Sequence, residues 1–402
     1  MSRVLFLTKV LPFPLSHGGA LRVFHLGREL ARDHECFLAT FGGQDSLALA
    51  ELKSREIYRE ILPLEPPSGF SSALRHFRLS EADLNRLGRP EHYKRTIRVL
   101  EAFIEKHRID VVIAVALHMA EYITSLKGVT RVVDDFDCNT LTLERELAPI
   151  LNGKRNVRYL KSALQLRRIR RQEARLSSTY DLVTTISPVD LEALQHLNKH
   201  SGNIHLLPNG VADPAPSGTR FSDNLSHSVV FWGDLAFKPN IAAIMYFIED
   251  IYLPHLKSKG IQCYFIGRNP GAEMLELAKL HSGIKFPGFV DDLTSFVGKI
   301  PVVINPMVIG SGLKNKVLEA MMLRKAIVTT SLGIEAIGAE DNVHCLVANG
   351  PAEFASATMA LMNDPARRER LGTQGREMVK DRFDWAAIGK KLSRMLEQSS
   401  GR

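Results

Sequence analysis

The sequence predicts an α/β fold of two doubly wound domains, each a parallel sheet covered on both faces by helices. Three observations carry this reading. Short apolar runs alternate with helical patterns along the whole chain. The alternation restarts after a proline- and glycine-rich break near residues 208–220. The length, 402 residues, exceeds what one hydrophobic core ordinarily fills, so two domains of similar size are expected.

In the first half, Val4–Thr8, Glu35–Thr40, Asp110–Val115, Thr130–Asp134 and Leu182–Ile186 are short, mostly apolar runs, the pattern of strands buried on both faces. Helical periodicity over Leu21–Arg32, Glu91–Lys106 and Val189–Leu197 separates them. The break runs from Leu207-Pro208-Asn209-Gly210-Val211 into Asp213-Pro214-Ala215-Pro216-Ser217-Gly218, a composition that punctuates structure. Beyond it, Ser228–Trp232, Cys263–Ile266, Ile284–Phe286, Val302–Ile304, Ala326–Thr330 and Cys345–Val347 read as strands, with helices over Ile241–Ile251, Ala272–Leu280 and Val317–Leu323. There is no short-period repeat and no low-complexity tract.

The bulk properties narrow the function. The net charge of +8 suits an anionic partner: a nucleotide, a phospholipid surface or nucleic acid. No apolar run reaches the roughly 18–20 residues that span a bilayer. Met1-Ser2-Arg3-Val4-Leu5-Phe6-Leu7 is too short for a signal peptide and reads as a first strand, so a cytoplasmic protein is expected. Cys36, Cys138, Cys263 and Cys345 are scattered, which suggests neither a zinc site nor a disulfide framework.

One stretch carries chemistry. Gly310-Ser311-Gly312-Leu313-Lys314-Asn315-Lys316-Val317-Leu318-Glu319-Ala320 follows the apolar run Pro301-Val302-Val303-Ile304-Asn305-Pro306 and leads into a helical segment. A strand, a glycine turn with lysines and a helix start together hold an anionic phosphate, because exposed N–H groups and the helix dipole favour negative charge there. The glycines let the backbone come close, and the lysines add point charges. Glu319 is placed to accept hydrogen bonds from sugar hydroxyls. The same residues also suit a plain helix N-terminus with solvated lysines.

In order along the chain, further stretches fall into a known arrangement. Pro12-Phe13-Pro14-Leu15-Ser16-His17-Gly18-Gly19-Ala20-Leu21-Arg22, Leu207-Pro208-Asn209-Gly210-Val211, Phe231-Trp232-Gly233-Asp234-Leu235 with Lys238-Pro239-Asn240, Pro287-Gly288-Phe289-Val290-Asp291-Asp292, Gly310 to Gly333, and Phe383-Asp384-Trp385 resemble, piece by piece, the GT-B glycosyltransferases of family 4, the retaining, nucleotide-sugar-dependent enzymes. Val133-Asp134-Asp135-Phe136-Asp137 and Met119-Ala120-Glu121-Tyr122 resemble a subgroup of bacterial sugar transferases linked to exopolysaccharide systems. The resemblance implies an N-terminal, acceptor-side domain over 1–210, a nucleotide-sugar-binding domain over 211–385, a cleft between them, and a closing helix over 386–402 that packs back towards the first domain.

It also implies roles. Gly18, Gly19 and Arg22 would face the donor from the first domain, and Gly233 with Lys238 would sit at the pyrophosphate. Phe289 and Val290 would flank the base. Gly310, Ser311, Gly312, Leu313, Lys314, Lys316 and Glu319 would form the donor loop. His118 is the candidate catalytic residue, contacting the transferred sugar. No metal or other cofactor is expected, and a UDP- or GDP-sugar would be the co-substrate. Three departures stand out. Ser311 occupies the place of the first of two glutamates, eight positions before Glu319. Asp234 stands near an expected arginine, and His118 comes a few positions late. Plainer readings remain for Gly18-Gly19 as a strand-to-helix turn, Arg22 as a surface residue, His118 as a structural histidine and Phe289 as a packing residue.

Asp135-Phe136-Asp137 has metal-ligand spacing but follows a first-domain strand, away from the donor loop, so loop capping or acceptor contact is the preferred reading. No paired catalytic carboxylates stand out, which disfavours a double-displacement glycosidase mechanism. Lys154 to Arg175 holds nine Lys or Arg and one acid, Glu173. It is either an interfacial helix meeting anionic headgroups, with a polyprenyl-diphosphate-linked acceptor, or a solvated helix. Nucleic acid is disfavoured, since Tyr159 is the only aromatic residue in the basic run and no helix-turn-helix or zinc-finger pattern is present. The expected function is sugar transfer from a nucleotide-sugar in cell-surface polysaccharide synthesis. The alternatives are a sugar-nucleotide epimerase and a non-catalytic nucleotide-sugar-binding scaffold.

Overall fold

The computed structural model describes residues 1–15, 18–43, 45–66, 86, 88–151, 157–213, 225–310 and 312–400. The chain forms two compact units. Met1–Gly210 together with Trp385–Arg402 make the first, and Val211–Asp384 the second. Linker residues 214–218 lie outside the described residues.

The first unit holds a seven-stranded sheet in the order β3-β2-β1-β4-β5-β6-β7. Its strands are β1 (Arg3–Thr8), β2 (Glu35–Thr40), β3 (Ile61–Pro63), β4 (Val111–Val115), β5 (Thr130–Asp134), β6 (Leu182–Thr185) and β7 (Ile204–Leu206). All pairings are parallel. The central strands β1, β4 and β6 are buried throughout or nearly so, which is why their sequences are continuous apolar runs instead of alternating ones. β3 and β7, the two edge strands, are three residues long and have no counterpart among the sequence-derived strands.

The helix Gly18–Leu30 covers one face of this sheet and receives the C-terminal helix Trp385–Ser400. The two helices approach closely at Gly389, where an added Cβ would lie 2.3 Å from Glu29 Cβ. Trp385 stacks on the His25 ring at 4.8 Å between centroids. Burial, with Arg28 adding to it, lowers the His25 pKa to about 4, so the ring packs as a neutral group at physiological pH. Ser393 Oγ lies 2.7 Å from His34 Nε2. The C-terminal helix is therefore an integral part of the first unit.

The polar centre of the first unit is Arg22. Its side chain is 1% exposed. The guanidinium donates from Nε to Asp134 Oδ2 at 2.7 Å and from Nη2 to Asp134 Oδ1 at 2.6 Å. Nη1 donates to the Pro208 carbonyl at 3.1 Å and to Asn209 Oδ1 at 3.0 Å. Thr184 Oγ1 donates to Asp134 as well. This bidentate, hydrogen-bonded geometry is what a buried ion pair needs to offset its desolvation. It ties the first turn of the helix after β1 to the end of β5 and to the last residues of the unit's first segment.

The second unit holds a six-stranded parallel sheet in the order β10-β9-β8-β11-β12-β13. Its strands are β8 (Ser228–Trp232), β9 (Gln262–Ile266), β10 (Ile284–Gly288), β11 (Val302–Asn305), β12 (Ala326–Thr329) and β13 (Leu346–Val347). The helix after β8 starts at Lys238, earlier than the sequence pattern suggests, and passes at Phe247 into a wider π-helical stretch ending at Leu256, with Pro254 inside it. No described helix is long and apolar enough to cross a membrane.

Asp134→Ala would leave the Arg22 guanidinium buried without its carboxylate. It should lower the unfolding free energy by roughly 3–5 kcal/mol, read by urea denaturation, whereas an exposed pair such as Arg55–Glu51 should give less than about 1 kcal/mol on the same treatment.

Candidate functional site

In each sheet the strand order reverses once. It does so between β1 and β4 in the first unit and between β8 and β11 in the second. Loops leaving the carboxyl ends at such a reversal diverge and open a crevice, the usual ligand site of an open α/β sheet.

In the second unit the reversal is flanked by Gly233–Phe237 after β8 and by 306–314 after β11. The second loop is built on a firm base. Buried Asn305 donates to Thr329 Oγ1 at 3.1 Å and to the Gly333 carbonyl at 3.3 Å, and Thr330 Oγ1 donates to the Met307 carbonyl at 2.6 Å. Gly310 and Gly312 adopt φ values of +113° and +69°, which side chains resist. Lys314 stands at the N-cap position of the helix Asn315–Met322, without a side-chain capping bond. It is 9% exposed, and its ammonium donates to the Gly312 carbonyl at 2.9 Å, so it closes its own loop. Leu313 is buried. Ser311 lies outside the described residues.

Lys316 and Glu319, on the first two turns of that helix, reach β8. The Lys316 ammonium donates to Asn240 Oδ1 at 2.6 Å and lies 3.7 Å from the centroid of the Phe231 ring, a cation–π placement. Asn240 is fixed in turn by donating to the Asp234 carbonyl at 2.8 Å. Gly233, at φ +149°, leaves the space: a Cβ there would lie 2.9 Å from Asn240 Nδ2 and 3.6 Å from Lys316 Nζ. Burial pushes the Lys316 pKa down to about 7, with Lys314 adding to the fall and Glu319 opposing it. Glu319 accepts from Trp232 Nε1 at 2.8 Å. Burial raises its pKa, while the Trp232 hydrogen bond and Lys316 pull it back. The set therefore presents two lysines, a helix N-terminus and one carboxylate at one sheet edge, a combination that holds phosphate and hydroxyl groups together.

Further residues border this edge. Phe289, just after β10, is 58% exposed, and the Arg268 guanidinium, just after β9, lies 4.4 Å from its ring centroid. Val290 is half-buried beside it. Lys238 is exposed in the first turn of its helix. Trp232, Asn240 and Arg268 are absent from the sequence-derived set. The only signal for the first two was their place within the quoted runs Phe231–Leu235 and Lys238–Asn240.

In the first unit, Gly18 and Gly19 open the helix after β1, and His118 lies in the short helix Leu117–Ala120 after β4. Both therefore stand at that sheet's reversal. Ala116, preceding His118, has φ +72°, a strained value for a residue with a Cβ. Arg22, expected to face a donor, instead spends its guanidinium inside the unit on Asp134, Pro208 and Asn209. Asp135 is buried, and its pKa is raised well above the usual carboxylate range by burial first, then by Glu173, Asp137, Asp134 and Asp190. Glu173, rather than the Asp135–Asp137 pair, caps the following helix, accepting from Asn139 N at 2.6 Å and Thr140 N at 3.0 Å. Among the described residues no group of three His, Cys, Asp or Glu side chains is arranged to hold a metal.

Comparison with known proteins agrees with this architecture. Residues 16–213 match the model described as Glycosyltransferase Family 4, and residues 226–364 that described as Glycosyl transferases group 1. No curated protein matches the sequence. Among solved structures, Anabaena HepE in complex with UDP and glucose is 15% identical, with a TM-score of 0.68 over 99% of this chain and 100% of that one. Sucrose-phosphate synthase from Thermosynechococcus elongatus is 16% identical, with a TM-score of 0.70 over 98% of each chain. A mutant of S. aureus TarM in complex with fondaparinux, α-GlcNAc-glycerol and UDP is 11% identical, with a TM-score of 0.69 over 98% of this chain and 100% of that one. With both halves matched and each unit a parallel sheet between helices, the chain belongs to the family 4 glycosyltransferases, the glycosyl transferases group 1, and has their GT-B fold.

Proposed function

We propose that this protein transfers a sugar from a nucleotide-sugar, with retention of configuration, to a glycan or polyprenyl-diphosphate-linked acceptor in cell-surface polysaccharide synthesis. The observation that carries the donor half is the pairing of Lys316 and Glu319 on one short helix against Asn240 and Trp232. In this reading the diphosphate lies on the N–H groups of 312–314 and on the N-terminus of the helix Asn315–Met322, with Lys316 supplying the nearest cation. Glu319 accepts from the ribose hydroxyls, and the base lies near Phe289 and Val290. HepE, with UDP-glucose bound, and TarM, with UDP bound, lend support, because their fold is shared.

As the glycosidic bond breaks, negative charge grows on the leaving diphosphate. Preorganised N–H groups and a lysine stabilise that charge without reorganisation, so the reaction proceeds without a metal. The donor's own phosphate then takes the proton of the attacking acceptor hydroxyl on the same face, which preserves configuration. The first unit takes the acceptor, with His118 at its sheet reversal as the residue nearest this role.

The acceptor's lipid would bring the enzyme to the inner face of the cell membrane. The helix Val157–Glu173 supports this: Leu160 and Leu164 are 65% and 45% exposed. Exposed Arg167 and Arg171 follow at spacings of three and four residues, so all four share one face. Lys154 and Arg155 lie outside the described residues.

Incubation with a panel of UDP-, GDP- and ADP-sugars tests the activity. Nucleotide release that requires an acceptor is expected; donor isomerisation without release would mean an epimerase, and binding without turnover a scaffold. Glu319→Ala should weaken donor binding roughly 10–100-fold, the cost of losing hydrogen bonds to a charged group. An unchanged dissociation constant would remove Glu319 from the site.

Lys316 gives a pH signature. With its pKa lowered to about 7, the ammonium is charged below neutrality and neutral above it, and an anionic diphosphate favours the charged form. Nucleotide binding should therefore take up a proton between about pH 7 and 8, measured by calorimetry in buffers of different ionisation enthalpy. Lys316→Met should abolish the uptake and weaken binding at least about tenfold.

For the membrane, vesicles containing anionic lipid should sediment the protein, zwitterionic vesicles should not, and salt should release it. The double change Leu160→Glu and Leu164→Glu should abolish sedimentation, since each leucine contributes up to about 1.5–3 kcal/mol on burial. Binding that persists in the double variant excludes this face.

A further inference from the structure

Glu319 has a partner whose presence a purely architectural role does not explain. Trp232 is the last residue of β8 and is 5% exposed. Its indole N–H, the only polar group it has, is directed at the Glu319 carboxylate from a strand 87 positions away in sequence. A core tryptophan needs only one acceptor, and a backbone carbonyl would suffice. Here the acceptor is an ionisable group on the loop-to-helix segment that carries the candidate donor site. The bond engages Oε2, and Oε1 has no hydrogen bond among the described residues.

We propose that Trp232 is a positioning residue for donor binding: its indole N–H, bonded to Oε2, fixes the rotamer of Glu319 so that Oε1 meets the ribose hydroxyls of the nucleotide. This rests on the reading of Glu319 as a donor-binding group. The physical need is plain. A half-buried carboxylate loses solvation, and burial drives it towards the neutral acid, a poorer acceptor. Lys316 offers only partial relief, since its ammonium is engaged by Asn240 and lies over Phe231. A neutral N–H donor favours the anion without competing for the diphosphate. The placement also joins the two loops at the sheet reversal, so the carboxylate's position is set by β8 and not by its own helix alone.

The arrangement carries its own reporter. The chain has two tryptophans; the other, Trp385, stacks on His25 in the first unit. A nucleotide that engages Glu319 must change the surroundings of the Trp232 indole.

The experiment uses the full-length protein, with UDP, GDP and ADP binding first measured by calorimetry to choose the tightest nucleotide as probe. In Trp385→Phe, that nucleotide should change the tryptophan emission as in the wild type; in Trp232→Phe the change should vanish. Trp232→Phe should raise the donor KM about tenfold, the worth of one charge-assisted hydrogen bond, with kcat within about twofold. It should also move the acid limb of kcat/KM to higher pH, because the bond that held the carboxyl ionised is gone. Glu319→Gln, which keeps Trp232 and its packing, should lose that acid limb altogether and guards against a Trp232 variant that fails to fold. Unaltered KM and pH profile in a folded Trp232→Phe, or no emission change in Trp385→Phe while calorimetry shows binding, overturns the inference alone. No nucleotide binding by the wild type overturns the donor-site reading and the inference with it.

Discussion

Within each sheet every strand runs parallel to its neighbours, and that constraint governs what the rest of the unit can do. Parallel neighbours cannot be joined by a hairpin; each needs a crossover back over a face of the sheet. All connections that follow a strand therefore emerge on one edge, and the faces are sealed by helices. Where the order reverses, between β8 and β11, neighbouring loops lead to crossovers that diverge, and the edge stays open. Trp232 and Glu319, far apart in sequence, meet there because β8 and β11 are paired. The same reversal in the first unit sets the turn at Gly18-Gly19 and the helix holding His118 on adjacent strands, β1 and β4.

The two units treat buried charge differently. In the first, Arg22 and Asp134 neutralise each other with a bidentate pair, and Thr184, Asn209 and Pro208 use the remaining hydrogen-bonding capacity. Such a network is directed inward, and it locks β5, the helix after β1 and the end of the segment together. In the second, Lys316 and Glu319 lean mainly on neutral groups, an amide and an indole. A neutral dipole is a weaker partner than an opposite charge, so these two side chains remain able to answer an incoming anion or hydroxyl.

The two-sheet architecture was legible because buried parallel strands write themselves as apolar runs, as in Val302–Ile304 or Val111–Val115. The loop at Gly310–Lys316 was legible as a glycine turn before a helix because glycines at positive φ and a helix start leave a local signature. β3 and β7 were not: three residues, one of them Pro63 and another His205, carry no periodicity, and they are strands only because a neighbour supplies the hydrogen bonds. The C-terminal helix was legible as a segment, but the stack of Trp385 on His25 was not. Arg22 shows the sharper limit. Its position near a glycine turn suggested a ligand, and only the fold reveals Asp134, 112 positions away. The partners of Glu319 and Lys316 were hidden for the same reason, since side-chain pairing across strands has no sequence period.

Those partners also explain why the titrations of Lys316 and Glu319 shift in opposite directions, the lysine down and the glutamate up. Both move towards their neutral forms, as burial demands when no full counter-charge is in contact. The segment thus carries a desolvation cost that the Trp232 and Asn240 hydrogen bonds relieve only in part. A ligand bearing a diphosphate beside vicinal hydroxyls supplies what is missing for each: negative charge for the lysine and donors for the carboxylate. In the proposed reading, binding would draw Lys316 back towards its charged form and give Glu319 hydroxyl donors beside the Trp232 indole. A ligand with phosphate alone would relieve the lysine but leave the glutamate as it was, so under the proposed reading the pairing would favour the whole nucleotide over its fragments.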